Sequence, residues 1–134
     1  MINFGHWTYH TEFEPDDYVG FIYRINCLVT GNFYIGRKQL WSNTTKPPLK
    51  GQKRRRKFRK ESDWKDYTSS SKEMNELISL HGKERFEFII ICLCVYPSDM
   101  AYWETAHIIM TNSMTDPLGL NKNCSRVPCP PKSK

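Results

Sequence analysis

No stretch of the 134-residue chain is apolar for long enough to cross a bilayer. The longest such run, Phe88 to Tyr96, holds nine residues, less than half of the roughly 20 that a helical span needs. No CxxC pair occurs among the five cysteines, so the paired spacing of a zinc ribbon is missing. No basic-then-apolar leader opens the chain, since Met1 to His10 mixes Asn3, Gly5, two histidines and Trp7. There is no internal repeat. These absences argue against membrane-spanning and secreted classes and point to reduced thiols in a cytoplasmic setting.

One further absence is local. Between Lys46 and Lys60 there is no acidic residue, while nine of the twenty Lys and Arg fall there. The rest of the chain therefore carries eleven positive against fourteen negative charges. A mildly acidic body with one concentrated basic segment suits a polyanion at one face. A solvated loop or a localisation signal has the same composition.

What is present organises into one domain. Residues 1–17 are aromatic and acidic and read as an N-terminal arm. From Tyr18 onward, Val19, Phe21, Tyr23, Ile25, Cys27 and Val29 share one parity, the alternation of a strand. Thr30-Gly31-Asn32 is a turn, with Gly31 free to take positive φ. Phe33 to Lys38 is the returning strand. Pro47, Pro48 and Gly51 make a regular element improbable before Lys53, and Ser62 to Tyr67 suits a short helical turn. Ser70 with Glu73 forms a capping box ahead of a helix carrying Met74, Leu77, Ile78 and Leu80, closed at His81-Gly82. Arg85 to Val95 is apolar almost throughout and reads as a central strand covered on both faces. Ser98 caps a second helix beginning at Asp99. The order strand, strand, helix, strand, helix predicts an α+β fold: a small antiparallel sheet flanked by helices. The boundaries expected are 18–113 for this domain, with its basic insertion at 41–62, and 114–134 for a Pro-rich tail.

The chemistry is carried by Gly20-Phe21-Ile22-Tyr23 followed, ten residues later, by Tyr34-Ile35-Gly36. Two such half-motifs on one hairpin, with a later helix holding an embedded Glu104, resemble the signature of the GIY-YIG nuclease superfamily. The basic insertion, with Pro-Pro-Leu-Lys-Gly and Ser-Asp-Trp-Lys-Asp-Tyr, resembles a phage-encoded subgroup close to free-standing homing endonucleases. The resemblance implies a three-stranded antiparallel sheet and hydrolysis of double-stranded DNA by water, with a divalent metal such as Mg²⁺ or Mn²⁺. It also implies 5′-phosphate and 3′-hydroxyl products, and a bacterial host's cytoplasm if the chain is phage-encoded.

By the same resemblance Tyr23 and Tyr34 line the site, Gly36 lets backbone approach the substrate, and Glu104 is the metal-binding carboxylate. A single carboxylate is chemically sufficient for Mg²⁺, which keeps several waters and takes phosphate oxygens. A phenol is a poor base unless a nearby cation favours its phenolate. The family's arginine beyond the second motif is missing, because residues 42–48 hold no arginine. Arg37 is left to hold phosphate, its planar guanidinium matching two oxygens, unless Arg54, Arg55, Arg56 or Arg59 folds back. Lys38, Lys50, Lys53, Arg54, Arg55, Arg56, Lys57 and Arg59, with Gly36, are the expected DNA contacts. Specificity is left to the insertion, the arm or dimerisation on DNA. A nuclease-derived nucleic-acid-binding protein without turnover is the alternative, and a zinc-stapled adaptor using His6, His10, Cys124 and Cys129 a third.

Overall fold

The computed structural model describes residues 3–54 and 56–122. Its centre is a three-stranded antiparallel sheet in which Gly20–Cys27 lies between Phe33–Gln39 and Phe86–Cys94. Strand β1 is Gly20–Cys27 and β2 is Phe33–Gln39, joined by the turn at Gly31, whose φ is +81°. Two short strands follow, β3 at Trp41–Lys46 and β4 at Arg56–Glu61, paired in a separate two-stranded ribbon. Helix α1 spans Lys72–His81, β5 Phe86–Cys94 and α2 Pro97–Met110. The α+β architecture with a three-stranded sheet is the one the element order predicts.

Alternation sorts the sheet into two faces. Phe21, Tyr23, Ile25 and Cys27 of β1 join Phe86, Phe88 and Ile90 of β5 in a core closed by Trp64 and by Met74 of α1. Ile22, Ile35 and Cys94 face the other way, onto Met100 and Ile108 of α2. The N-terminal stretch read as an arm contributes Trp7 and Phe13 to the first core, and the Trp7 indole N–H donates to the Trp64 carbonyl. Its Thr8 also borders β5, with Thr8 N–H donating to Phe88 O at 2.8 Å and Ile90 N–H to Thr8 O at 2.9 Å.

Four local expectations are corrected. The strand buried on both flanks is β1; β5 lies at the sheet's end, bordered by Thr8. Continuous apolarity reports two covered faces and says nothing about rank in the hydrogen-bonded order. Strand β3 forms where no element was expected before Lys53, because Pro47 and Pro48 fall just beyond its last residue and end it. The α1 cap is Ser71, whose hydroxyl accepts from Met74 N–H at 3.3 Å, and not Ser70. Helix α2 starts at Pro97 with Tyr96 as its cap, two residues before Asp99, since proline suits a first helical turn. Cys27, Cys92 and Cys94 are free thiols in or beside the apolar layers, whereas Cys124 and Cys129 lie outside the described residues.

Candidate active site

The β1–β2 register pairs Tyr23 with Gly36, Ile22 with Arg37, Phe21 with Lys38 and Ile25 with Tyr34. Tyr23, Tyr34 and Lys38 therefore share the face toward α1, and Arg37 shares the face toward α2. The predicted quartet is split into two pairs on either side of β2, one of the sheet's two end strands. The Tyr23 and Tyr34 rings stand 6.2 Å apart between centroids. Across the strand, Arg37 Nε lies 3.9 Å from Glu104 Oε1.

Tyr23 is fully enclosed, 0% exposed, and its hydroxyl finds no hydrogen-bond partner of good geometry. Burial pushes its phenol far above the ordinary range, and the neighbouring Tyr67 and Tyr34 add to that rise. A Cβ placed on Gly36 would overlap the Tyr23 hydroxyl and its ring carbon. Gly36 is thus the gap through which the Tyr23 phenol lies against β2, a use different from the expected approach of backbone to substrate. Gly20 serves likewise, since a Cβ there would meet the Met100 sulfur at 2.5 Å.

Tyr34 is the more accessible phenol. Its hydroxyl shares a 3.0 Å hydrogen bond with Ser70 Oγ, beside a depression of about 200 Å³ bordered by Ser71, Lys72 and Asn121. Burial raises its pKa, the Ser70 hydroxyl opposes that rise, and the Glu104 charge adds to it.

Glu104 owes its setting to helical spacing. Met100, Glu104 and Ile108 follow one row of α2 at four-residue steps, and both flanking residues are buried. The carboxylate between them is 25% exposed, and burial raises its pKa while Arg37 lowers it. His107, three residues on, lies toward Trp103, with ring centroids 6.4 Å apart.

The other basic candidates disperse. Lys38 Nζ sits 2.6 Å from Asp63 Oδ1 and 4.3 Å over the Tyr67 ring. Arg59 stacks 3.9 Å over Trp41 and pairs with Asp16 at 2.9 Å, away from Arg37. Lys50, Lys53 and Arg54 are exposed between β3 and β4. Arg56 and Lys57 belong to β4, while Arg55 lies outside the described residues.

Three contributors were not foreseen. Ser70 holds the Tyr34 hydroxyl, which it can do because Ser71 takes over the helix cap. Tyr67 presents its ring to Tyr23 at 6.1 Å. Asn121 is a clamp: its Oδ1 accepts from Ile35 N–H at 2.9 Å and its Nδ2 donates to Ile35 O at 2.7 Å. It grips the residue between Tyr34 and Gly36, and the Ser113 hydroxyl donates to the same Oδ1. No motif spacing announces an asparagine 86 residues from its partner.

A hairpin bearing both half-motifs, packed on a helix whose inner row carries one carboxylate, defines a GIY-YIG nuclease domain. Residues 6–124 match the family model SegE_GIY-YIG, described as "Putative endonuclease segE, GIY-YIG domain". The chain belongs to this family, and it carries an endonuclease-type domain whose class acts on DNA. Searches of curated proteins and of solved structures return no match. No helix among the described residues is long and apolar enough to cross a membrane.

The donor set suits a hydrated hard cation. Glu104 keeps carboxylate oxygen capacity beyond its loose contact with Arg37. Among the described residues no cluster of three or more His, Cys, Asp or Glu gathers. A lone carboxylate of this kind suits a hard divalent cation whose shell is completed by water and phosphate oxygens. Of the zinc candidates, His6 is already engaged, its Nε2 bonded to Tyr67 O at 2.9 Å and its ring stacked on Phe88.

Proposed function

We propose that the protein is a divalent-metal-dependent DNA endonuclease, using Mg²⁺ or Mn²⁺, of the free-standing homing-endonuclease kind that phages carry into a host cytoplasm. The observation that carries this reading is the Arg37–Glu104 pair, 3.9 Å apart beside the hairpin that bears both half-motifs. Glu104 would hold the metal. The bound metal supplies Lewis-acid stabilisation of the phosphate and a lowered pKa for water.

The chain's own groups do the rest. Arg37 directs its guanidinium at the phosphate and neutralises charge as it builds. Tyr34 orients water through its hydroxyl, with Ser70 as the proton acceptor or donor at its back. Tyr23 sits behind Tyr34 and fixes its ring. Lys38 and Arg59 are held by Asp63 and Asp16, so Lys50, Lys53, Arg54, Arg55, Arg56 and Lys57 give the backbone affinity, which weakens steeply with salt.

The direct test is supercoiled plasmid incubated with the full chain and Mg²⁺, with and without chelator. Nicked or linear DNA that chelator prevents is expected. Binding without any cutting, in Mg²⁺ or Mn²⁺, would favour the non-catalytic alternative.

The pH dependence follows from the carboxylate. Because burial raises the Glu104 pKa, protonation competes with metal at a higher pH than for an ordinary carboxylate of about 4.3. Activity falls as pH drops through that raised value. Arg37 pulls the value down, so Arg37→Ala moves the acid limb of the pH–rate profile upward. A profile measured for both proteins checks this, and an unmoved limb separates Arg37 from Glu104.

A further inference from the structure

The β3–β4 ribbon grows directly out of the strand that carries the site. Strand β2 ends at Gln39, Leu40 is fully buried, and β3 begins at Trp41. Backbone bonds fix that joint: Leu40 N–H donates to Val19 O and Ser62 N–H to Leu40 O, both at 2.9 Å. The Ser62 hydroxyl adds a 2.6 Å bond to Gln39 O. At the root, Trp41 Nε1 donates to Pro15 O at 3.1 Å and Arg59 closes over the indole onto Asp16. A cleft of about 190 Å³, lined by Gln39, Asn43, Pro97 and Met100, separates the root from the start of α2.

Beyond the root the ribbon is a different object. Six residue pairs run from Trp41↔Glu61 to Lys46↔Arg56, about 20 Å at 3.3 Å per residue. The far end turns through Leu49–Gln52, closed by Gln52 N–H to Leu49 O at 2.8 Å, with Gly51 at φ +85° in open space. Lys50, Lys53 and Arg54 are exposed there, and none forms an ion pair with a described residue. The nearby acids, Asp16 and Glu61, stand at the root and are paired with Arg59 and Lys65. Charge is thus polarised along the ribbon, balanced at its base and wholly cationic at its tip.

We propose that this ribbon enters the major groove of duplex DNA, tip first, and sets which phosphodiester meets Arg37 and Glu104. The major groove of undistorted DNA, about 12 Å wide, admits a two-stranded β-ribbon, whereas the minor groove, about 6 Å wide, takes one only when the duplex is bent or the groove widened. Rigid continuity with β2 turns the depth of insertion into the position of the scissile bond. The inference rests on DNA being the substrate, and it is independent of turnover.

The test measures binding in chelator, so no cutting intervenes. The full chain is titrated onto two duplexes of about 30 base pairs and one sequence. In one of them the cytosines carry glucose through a hydroxymethyl group at C5, an uncharged bulk that fills the major groove. The wild-type chain should bind the filled duplex at least tenfold more weakly. The triple variant Lys50→Ala, Lys53→Ala, Arg54→Ala should bind the open duplex about tenfold more weakly than wild type. Its log affinity against log salt should be shallower by about 3, near 0.9 for each phosphate no longer neutralised. It should also discriminate little between the two duplexes.

Glu104→Gln should keep the full discrimination, which separates this result from the fate of the nuclease reading. Equal wild-type affinity for both duplexes, no duplex binding at all, or undiminished discrimination by a folded triple variant would each overturn the ribbon's role.

Discussion

Glu104→Gln is expected to reduce metal-dependent DNA cleavage by roughly 10²–10³-fold or more, the scale at which single charge-stabilising groups act. Glutamine keeps the shape that fits between Met100 and Ile108, so the packing of α2 is preserved. The carboxylate is partly desolvated, and among the described residues the cation that compensates it is Arg37, 3.9 Å away. Removing its charge therefore leaves thermal stability unchanged or slightly higher. DNA binding in chelator should hold or strengthen, because one negative charge leaves a surface that meets phosphate. A plasmid cleavage assay, a melting curve and a binding titration on one preparation separate these effects. Wild-type cleavage rates in the variant would remove Glu104 from the chemistry.

Gly36→Ala has the largest expected effect on the fold. The added methyl would occupy the place of the Tyr23 hydroxyl, and the ring has no exposed direction in which to retreat. Overpacking of this kind costs about 2–3 kcal/mol, a fall of about 10 °C in melting temperature for a domain of this size. The second-site prediction is sharper. Tyr23→Phe should not relieve Gly36→Ala, since the terminal ring carbon also overlaps the methyl, whereas Tyr23→Leu should recover part of the loss. Differential scanning calorimetry of the two double variants distinguishes them. If Gly36→Ala melts like wild type, the contact between Tyr23 and β2 is not the reason for the glycine.

The hairpin and both helices were legible because their signals are local: alternation, a turn glycine, a helical row. The rank of β5 was not legible, since hydrogen-bonded order depends on partners distant in the chain. Two prolines and a charge run concealed β3, although prolines just past a strand end are permitted. In the site, the residue types were legible and their sides were not. Adjacent positions such as Gly36 and Arg37 face opposite layers, so a motif read as a string hides the fact that Tyr34 and Arg37, the partner of Glu104, lie on opposite sides of β2. The roles of Ser70 and Asn121 rest on contacts across 36 and 86 residues, which no spacing rule encodes.

The segment bearing Asn121 also closes the open side of β2. Phe33 N–H donates to Leu118 O at 3.0 Å, Leu120 N–H to Phe33 O at 2.9 Å, and the Asn121 amide fills the Ile35 pair. Residues 118–121 behave as a surrogate neighbour strand built partly from one side chain. A chain cut before Leu118 would expose unpaired amides along β2, the template on which foreign strands add and chains self-associate. The shape of the nuclease hairpin and the cover of its outer edge are therefore set by the same short segment.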